Sequence, residues 1–328
     1  LDMCLGITGL LDFFGARIFS VEEVENGKPA PDIFLHAARE MTTKPVIGIA
    51  EASFYIAAML AARFSIVSVV PRIRTMLEQR QDLELLLVPA AERKNIGARS
   101  GFLNQADLVI LCLPDEAATE ALELIDNPAT RVIDTSTIRR IHPGWVYGLP
   151  ELGPEQREAI VKADRVANCG CYPVGFTLAV RPLIQAGLLD PGAQLTSNAI
   201  SGYSGGGRKM IEAYAQAPRP ERNNDAALPL SLYSLGESHK HVPEMQQFGL
   251  LEHPPLFVPS VAHTYCGMLV STPLTTTHGI KADTTPQQIH AVWQACYQDD
   301  PFVHPIPPTE NEQALREGKF LDPSERNF

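Results

Sequence analysis

Leu108-Val109-Ile110-Leu111-Cys112-Leu113-Pro114 is an unbroken apolar run closed by a proline. A strand with one wet face alternates apolar and polar residues; this run has no polar phase. It predicts a strand buried on both faces of a parallel sheet. A helical pattern follows over residues 116–125, then a short strand over 131–134. Strand, helix and strand at this spacing make a βαβ unit. Residues 83–88 read as a further strand upstream. Ligands of such sheets bind beyond the carboxyl ends of the strands. Pro114-Asp115 and Asp134-Thr135-Ser136-Thr137 stand there. Past residue 150 the polar loops lengthen, and strand signals return at 194–201, 256–261 and 268–274. That pattern predicts an α+β second domain. There is no internal repeat and no low-complexity tract.

Composition sets outer bounds. The chain has 328 residues, enough for two domains, and a formal net charge of −11. No basic patch accumulates, so nucleic acid is not expected as a partner. The longest apolar stretch, 46–70, is interrupted by Glu51 and Arg63, so no membrane span is expected. No signal peptide is expected either. The six cysteines are scattered through the chain, which suits a reducing cytoplasm better than a disulfide scaffold. Cys169 and Cys171 lack a second cysteine pair, so no metal site is expected.

Asn168-Cys169-Gly170-Cys171-Tyr172-Pro173 precedes an apolar, helix-compatible run, residues 174–189. A thiol at a helix N-terminus meets unpaired N–H groups and the positive end of the dipole, which favour thiolate and can hold an oxyanion. That arrangement suits a nucleophile for acyl transfer. Read alone, Cys171 equally suits a small buried thiol. Three clusters accompany it. Asp134 to Arg140 ends a strand in hydroxyls and guanidinium groups, among them Ser136 and Arg140, which suit a phosphate or carboxylate. Ser201-Gly202-Tyr203-Ser204-Gly205-Gly206-Gly207-Arg208-Lys209 is a glycine-rich loop ending in two cations, open to an anion or to a plain surface hairpin. His239-Lys240-His241-Val242-Pro243-Glu244 offers two imidazoles and a carboxylate. Histidines at i and i+2 share a face in extended chain, not in a helix. Either can serve as the base for a cysteine, with Glu244 orienting it.

These blocks, with residues 107–114, 126–137 and Gly144-Trp145-Val146-Tyr147-Gly148, resemble the N-acetyl-γ-glutamyl-phosphate reductases of shorter chain, over about residues 79–328. The resemblance implies an α/β fold: an incomplete Rossmann-like parallel sheet domain (79–149), then an α+β catalytic and dimerisation domain of the semialdehyde dehydrogenase type (150–305). A truncated C-terminal return segment (306–328) would follow. It also implies NADPH-dependent reduction of an acyl phosphate in arginine biosynthesis, in the cytoplasm, by a homo-oligomer. Cys171 would form the thioester, and His239 or His241 would be the acid/base with Glu244. Ser136, Arg140, Ser201, Gly202, Tyr203, Ser204 and Lys209 would hold substrate, and Leu113, Pro114 and Gly205 would contact NADP.

The chain departs from that pattern in three places. Residues 44–82 contain Gly48 as their sole glycine, so the family's G-x-x-G-x-x-G turn is missing and NADP binding is expected to suffer. The final strand and helix that meet the nicotinamide are expected to be missing as well. Cys169 replaces a proline, and a disulfide with Cys171 would be strained. Ahead of the resemblance, Gly27-Lys28-Pro29-Ala30-Pro31-Asp32 resembles a fragment of the haloacid-dehalogenase-like phosphatases (1–43), without their Asp-x-Asp nucleophile motif. Residues 44–78 resemble a strand–helix–strand fragment of the aspartate/glutamate/hydantoin racemases, without either catalytic cysteine, and are expected to stand in for the first βα unit. The alternative expectation is a recombined, cofactor-deficient protein that keeps only the catalytic and dimerisation module.

Overall fold

The computed structural model describes residues 63–68, 84–86, 88–217, 229–235, 239–300, 302–309 and 313. The phosphatase-like segment and the first strand and helix of the racemase-like segment lie outside them. Residues 56–328 form one compact unit. It holds two sheets. The first has strands β1 (Arg63–Ser68), β2 (Glu84–Leu86), β3 (Leu108–Cys112), β4 (Arg131–Asp134), β5 (Val146–Tyr147) and β6 (Arg165–Ala167). They lie in the order β2-β1-β3-β4-β6-β5, with every pairing parallel. The sheet therefore continues past residue 149, through β6.

Leu108, Val109, Ile110 and Leu111 are each 0% exposed, so the apolar run is buried on both faces, as its pattern predicts. Helices α1 (Ile96–Gln105) and α2 (Asp115–Glu123) flank β3. Asn95 caps α1 by accepting the Ala98 N–H at 3.1 Å. β1 lies between β2 and β3, the place of a first strand. The chain order turns back at the β1/β3 junction, which is the crevice where open α/β sheets bind ligands. Leu113 and Pro114 follow β3 at that junction.

The second sheet joins β7 (Thr196–Gly202), β8 (Leu230–Leu232), β9 (Leu256–Ala262) and β10 (Met268–Ser271) in the order β10-β7-β9-β8. Its β7–β9 pair is parallel, and the outer pairs are antiparallel. Ala199 and Phe257 point from one face into a core with Phe176, Val180, Leu183 and Met245. The opposite face is apolar but exposed: Leu269, Ile200 and Leu232 fall in one cross-strand row, and Leu230 and Leu256 lie beside it.

Helix α3 (Pro154–Lys162) precedes β6, and α4 (Cys171–Gln185) follows it. α4 starts three residues before the expected 174, because Pro173 sits within the first turn, where no N–H is needed. It ends early, at Gln185, through a glycine stop. Gly187 adopts φ +65°, the Leu188 N–H reaches the Leu183 carbonyl, and the Gly187 N–H reaches that of Ile184. Pro182 lies inside α4 and cannot donate to the Leu178 carbonyl four residues earlier. The Tyr297 hydroxyl fills that vacancy at 2.8 Å, and the Trp293 indole N–H bonds the neighbouring Ala179 carbonyl at 2.8 Å. Both come from α7 (Pro286–Tyr297), which a Thr285/Gln288 capping box starts. The remaining helices are α5 (Gly207–Gln216) and α6 (Val242–Gly249).

Tyr297→Phe should therefore lower stability by about 1–2 kcal/mol, the cost of stranding a partly buried carbonyl. Urea denaturation measures this. In a Pro182→Ala background, where residue 182 regains an N–H, the penalty should shrink; an unchanged penalty would show that Tyr297 acts by packing alone.

Candidate active site

Cys171 opens α4, and Gly170 is its N-cap, with no side-chain cap. Space demands the glycine. A Cβ at position 170 would lie 2.7 Å from Arg140 Nη1, 2.8 Å from Glu244 Oε1 and 3.0 Å from His241 Cδ2. The residue before the thiol is thus pressed against a guanidinium, a carboxylate and an imidazole. Burial pushes the Cys171 thiol up, while the Tyr172 N–H, the Arg140 charge and its own N–H pull it down; burial wins. The N–H groups of the helix terminus do favour thiolate, as expected, but desolvation of the anion is the larger effect, so Cys171 rests as a thiol.

Glu244 is 1% exposed and accepts three hydrogen bonds. Arg140 Nη1 reaches Oε1 at 2.8 Å; the Tyr147 hydroxyl and the Gly170 N–H both reach Oε2 at 2.9 Å. Tyr147, from β5, also stacks on Phe248 with centroids 3.6 Å apart. Glu244 was expected to orient an imidazole. Its three bonds go instead to Arg140, Tyr147 and the Gly170 N–H just before Cys171.

His239 and His241 meet, with ring centroids 4.6 Å apart, in a turn and not in the extended chain that their spacing suggested: His241 has φ −87° and ψ −14°. They lie in the turn that starts α6, and His241 is its N-cap. His239 Nδ1 accepts the His241 N–H at 3.2 Å, which puts the His239 proton on Nε2. His241 is 6% exposed, and its Nδ1 is buried without a partner. Burial, then the Arg140, His239 and Lys240 charges, press its pKa down to about 2, so the ring is neutral at neutral pH. Burial also lowers His239, helped by Lys240 and Arg140. Both rings contact Tyr172, the residue after the thiol, at 6.2 and 5.8 Å.

The expected phosphate holders have other partners. The Ser136 hydroxyl and N–H bond the Asp134 carboxylate at 2.9 and 2.8 Å, and Ser136 is buried. Arg140 gives Nη1 to Glu244 and Nη2 to the Thr135 carbonyl; its Nε is buried without a partner. Asp115 accepts the Thr137 N–H and hydroxyl at 2.9 and 2.7 Å, so the two strand ends are tied together. In the glycine-rich loop, the N–H groups of Gly202, Tyr203 and Ser204 bond the carbonyls of Gly267, Thr264 and Tyr265. A Cβ on Gly202 would lie 2.7 Å from the Cys266 backbone. That glycine serves chain-to-chain packing, which corrects the expectation that it admits a ligand. Ser204 is half-buried, and Gly205 and Lys209 are exposed. Ser201 joins the site by a different route: Tyr233 Oη bonds Tyr172 Oη at 3.1 Å, and Tyr172 Oη donates to Ser201 Oγ at 2.8 Å.

The bottom-up sequence reading missed Tyr147, Tyr172 and Tyr233. Tyrosines carry no spacing signal, and their hydroxyls matter here only through partners distant in sequence. Cys169, two residues from Cys171, points its thiol at the Gly148 carbonyl at 3.6 Å. Burial, then the Glu244 and Glu151 charges, push it up to about 12, so it does not compete as a nucleophile. Both cysteines are free thiols.

A dinucleotide would lie at the β1/β3 crevice, beside Leu113 and Pro114. Residues 69–83, which follow β1, contain no glycine. A pyrophosphate-binding turn relies on glycines to let backbone approach the ligand, and this stretch, which lies outside the described residues, supplies none.

The neutral His241 has a consequence for stability. Its folded pKa lies below the ordinary 6.5, so protonation favours the unfolded chain as pH falls from about 6.5 toward 2. Stability should fall by at most about 1.4 kcal/mol per pH unit in that window. Asp134, raised by burial, acts in the opposite sense. A comparison with His241→Gln isolates the histidine: chemical denaturation from pH 7 to 4 should show a shallower decline in the variant, and equal slopes would contradict the neutral assignment.

Comparison with known proteins agrees with the fold. The family described as semialdehyde dehydrogenase, NAD binding domain, matches residues 73–160. The family described as semialdehyde dehydrogenase, dimerisation domain, matches residues 171–321. Among solved structures, aspartate semialdehyde dehydrogenase II from Vibrio cholerae, complexed with ASA, superposes with a TM-score of 0.51 at 14% identity, covering 74% of this chain and 80% of that one. N-acetyl-gamma-glutamyl-phosphate reductase 2 of Nostoc sp. is 42% identical over 253 residues, 76% of this chain and 77% of the relative. The N-acetyl-gamma-glutamyl-phosphate reductase of Rhizobium etli is 44% identical over 246 residues, 75% of this chain and 78% of the relative. With its thiol, paired histidines and two sheets in that company, the chain belongs to the N-acetyl-gamma-glutamyl-phosphate reductase family of semialdehyde-dehydrogenase-type oxidoreductases.

Proposed function

We propose that this protein reduces N-acetyl-γ-glutamyl phosphate to the semialdehyde through a thioester on Cys171, as a step of arginine biosynthesis in the cytoplasm. One observation carries this reading: a thiol in the first turn of a 15-residue helix, directly after a glycine that is pressed against a buried neutral imidazole. His241 is in the proton-accepting form and takes the thiol proton. The sulfur attacks the acyl carbon, the bond to the phosphate oxygen breaks, and inorganic phosphate leaves. His239, with its proton on Nε2, hydrogen-bonds the oxygen that becomes negative in the tetrahedral intermediate. Ser201, Tyr203, Ser204 and Lys209 line the substrate side of this reading. Residues 79–149 supply the cofactor-binding part and 150–305 the catalytic and dimerisation part.

The reductive half needs a hydride donor, NADPH in this reading, which Leu113 and Pro114 would contact and which would supply the two electrons that turn the thioester into the aldehyde. The glycine-free stretch 69–83 favours a second reading, a cofactor-deficient protein that retains only the acylating module. Two measurements separate them. Wild-type protein should release one equivalent of phosphate from the acyl phosphate, and Cys171→Ser none; release by the variant would sink both readings. Calorimetry with NADPH then decides: saturable binding below millimolar supports the reductase, and silence at millimolar supports the second reading.

The exposed apolar row of Leu269, Ile200 and Leu232 is the face on which we place a second copy of the chain. Burial of such a face contributes roughly 25 cal/mol per Å² of apolar area. Leu232→Glu should shift sedimentation from dimer to monomer, and an unshifted dimer would move the interface elsewhere.

A further inference from the structure

We infer that Tyr147 is a positioning residue for the Cys171 nucleophile, acting through Glu244. This rests on the reading of Cys171 as the acylated thiol. The Tyr147 hydroxyl and the Gly170 N–H share one oxygen, Glu244 Oε2, each at 2.9 Å. Gly170 is the N-cap whose carbonyl accepts the Val174 N–H at 3.1 Å and so begins the helix that carries the thiol. Glu244 is the hinge of this arrangement. Arg140 holds its other oxygen at 2.8 Å, and Tyr147 fixes the rotation that presents Oε2 to Gly170.

Tyr147 is itself fixed. Its ring stacks on Phe248, its carbonyl accepts from the Gln156 amide, and it is 3% exposed. A tyrosine buried this deeply with its hydroxyl on a carboxylate stays protonated, since burial and then the Glu244 charge push its pKa up. It is therefore a permanent donor. It disperses the Glu244 charge without adding charge of its own. Without that donor the carboxylate is freer to turn and less neutralised, and both changes reach the thiol. The groups that bear electrostatically on Cys171 include Arg140, Glu244 and the Tyr172 N–H; Tyr233 is coupled to it as well.

Tyr147→Phe keeps the ring and its stacking and deletes the donor. Single-turnover release of phosphate from the acyl phosphate should slow roughly 10- to 100-fold, the scale of an ångström-sized misplacement. The midpoint of the pH profile for iodoacetamide alkylation of Cys171 should move upward. Glu244→Gln removes the charge instead and should move that midpoint downward; opposite shifts are the signature. Tyr297→Phe is the structural control: it deletes a hydrogen bond to the Leu178 carbonyl away from Glu244, and should lower the melting temperature and leave the midpoint where it is. If Tyr147→Phe folds and both its midpoint and its phosphate-release rate equal wild type, Tyr147 is a packing residue and the inference is overturned. If Cys171→Ser still labels and releases phosphate like wild type, the nucleophile reading itself fails, and the role of Tyr147 falls with it.

Discussion

The buried Glu244 carboxylate is the constraint on which the site depends. A charge so fully withdrawn from water costs several kcal/mol unless it is paired and hydrogen-bonded. Arg140 supplies the opposite charge, and Tyr147 and Gly170 supply two further donors. Each of these bonds also fixes something else. Arg140 ties the loop after β4, Tyr147 ties β5, and Gly170 ties the start of α4. Loss of any partner would leave a buried group uncompensated, so charge satisfaction and active-site geometry are one requirement.

The same burial sets the protonation states. It raises Cys171 and lowers His241, so the resting pair is a thiol and a neutral imidazole. An ion pair in that volume would carry two desolvated charges beside Arg140 and Glu244. In the proposed reaction, a pair kept neutral until substrate arrives would ionise in the step where the acyl phosphate can stabilise it.

The scaffold was legible in the sequence because its signals are local. Residues 108–113 had no polar phase and became β3; the strand, helix and strand after it folded as spaced. The two imidazoles were legible as residues, but what brings them together is a turn at the start of α6 and not the extended chain that i and i+2 suggested. Ser136 and Gly202 were misread because hydroxyls and glycines fit ligands and internal packing alike. What decides between them is the neighbour, Asp134 in one case and the Cys266 backbone in the other. Glu244 was found, but its partners were not: Tyr147 and Gly170 lie 97 and 74 residues away. Pro182, inside the run read as helix, is a docking point, because Tyr297 reaches the carbonyl it leaves open.

The link from Arg140 to Glu244 spans 104 residues. Loop closure over that distance has an entropic cost that local elements such as β3 and α2 do not meet. Cys171 has its imidazole and its clamp only when α6 is docked. The alkylation chemistry of one cysteine therefore reports whether two segments far apart in sequence have met.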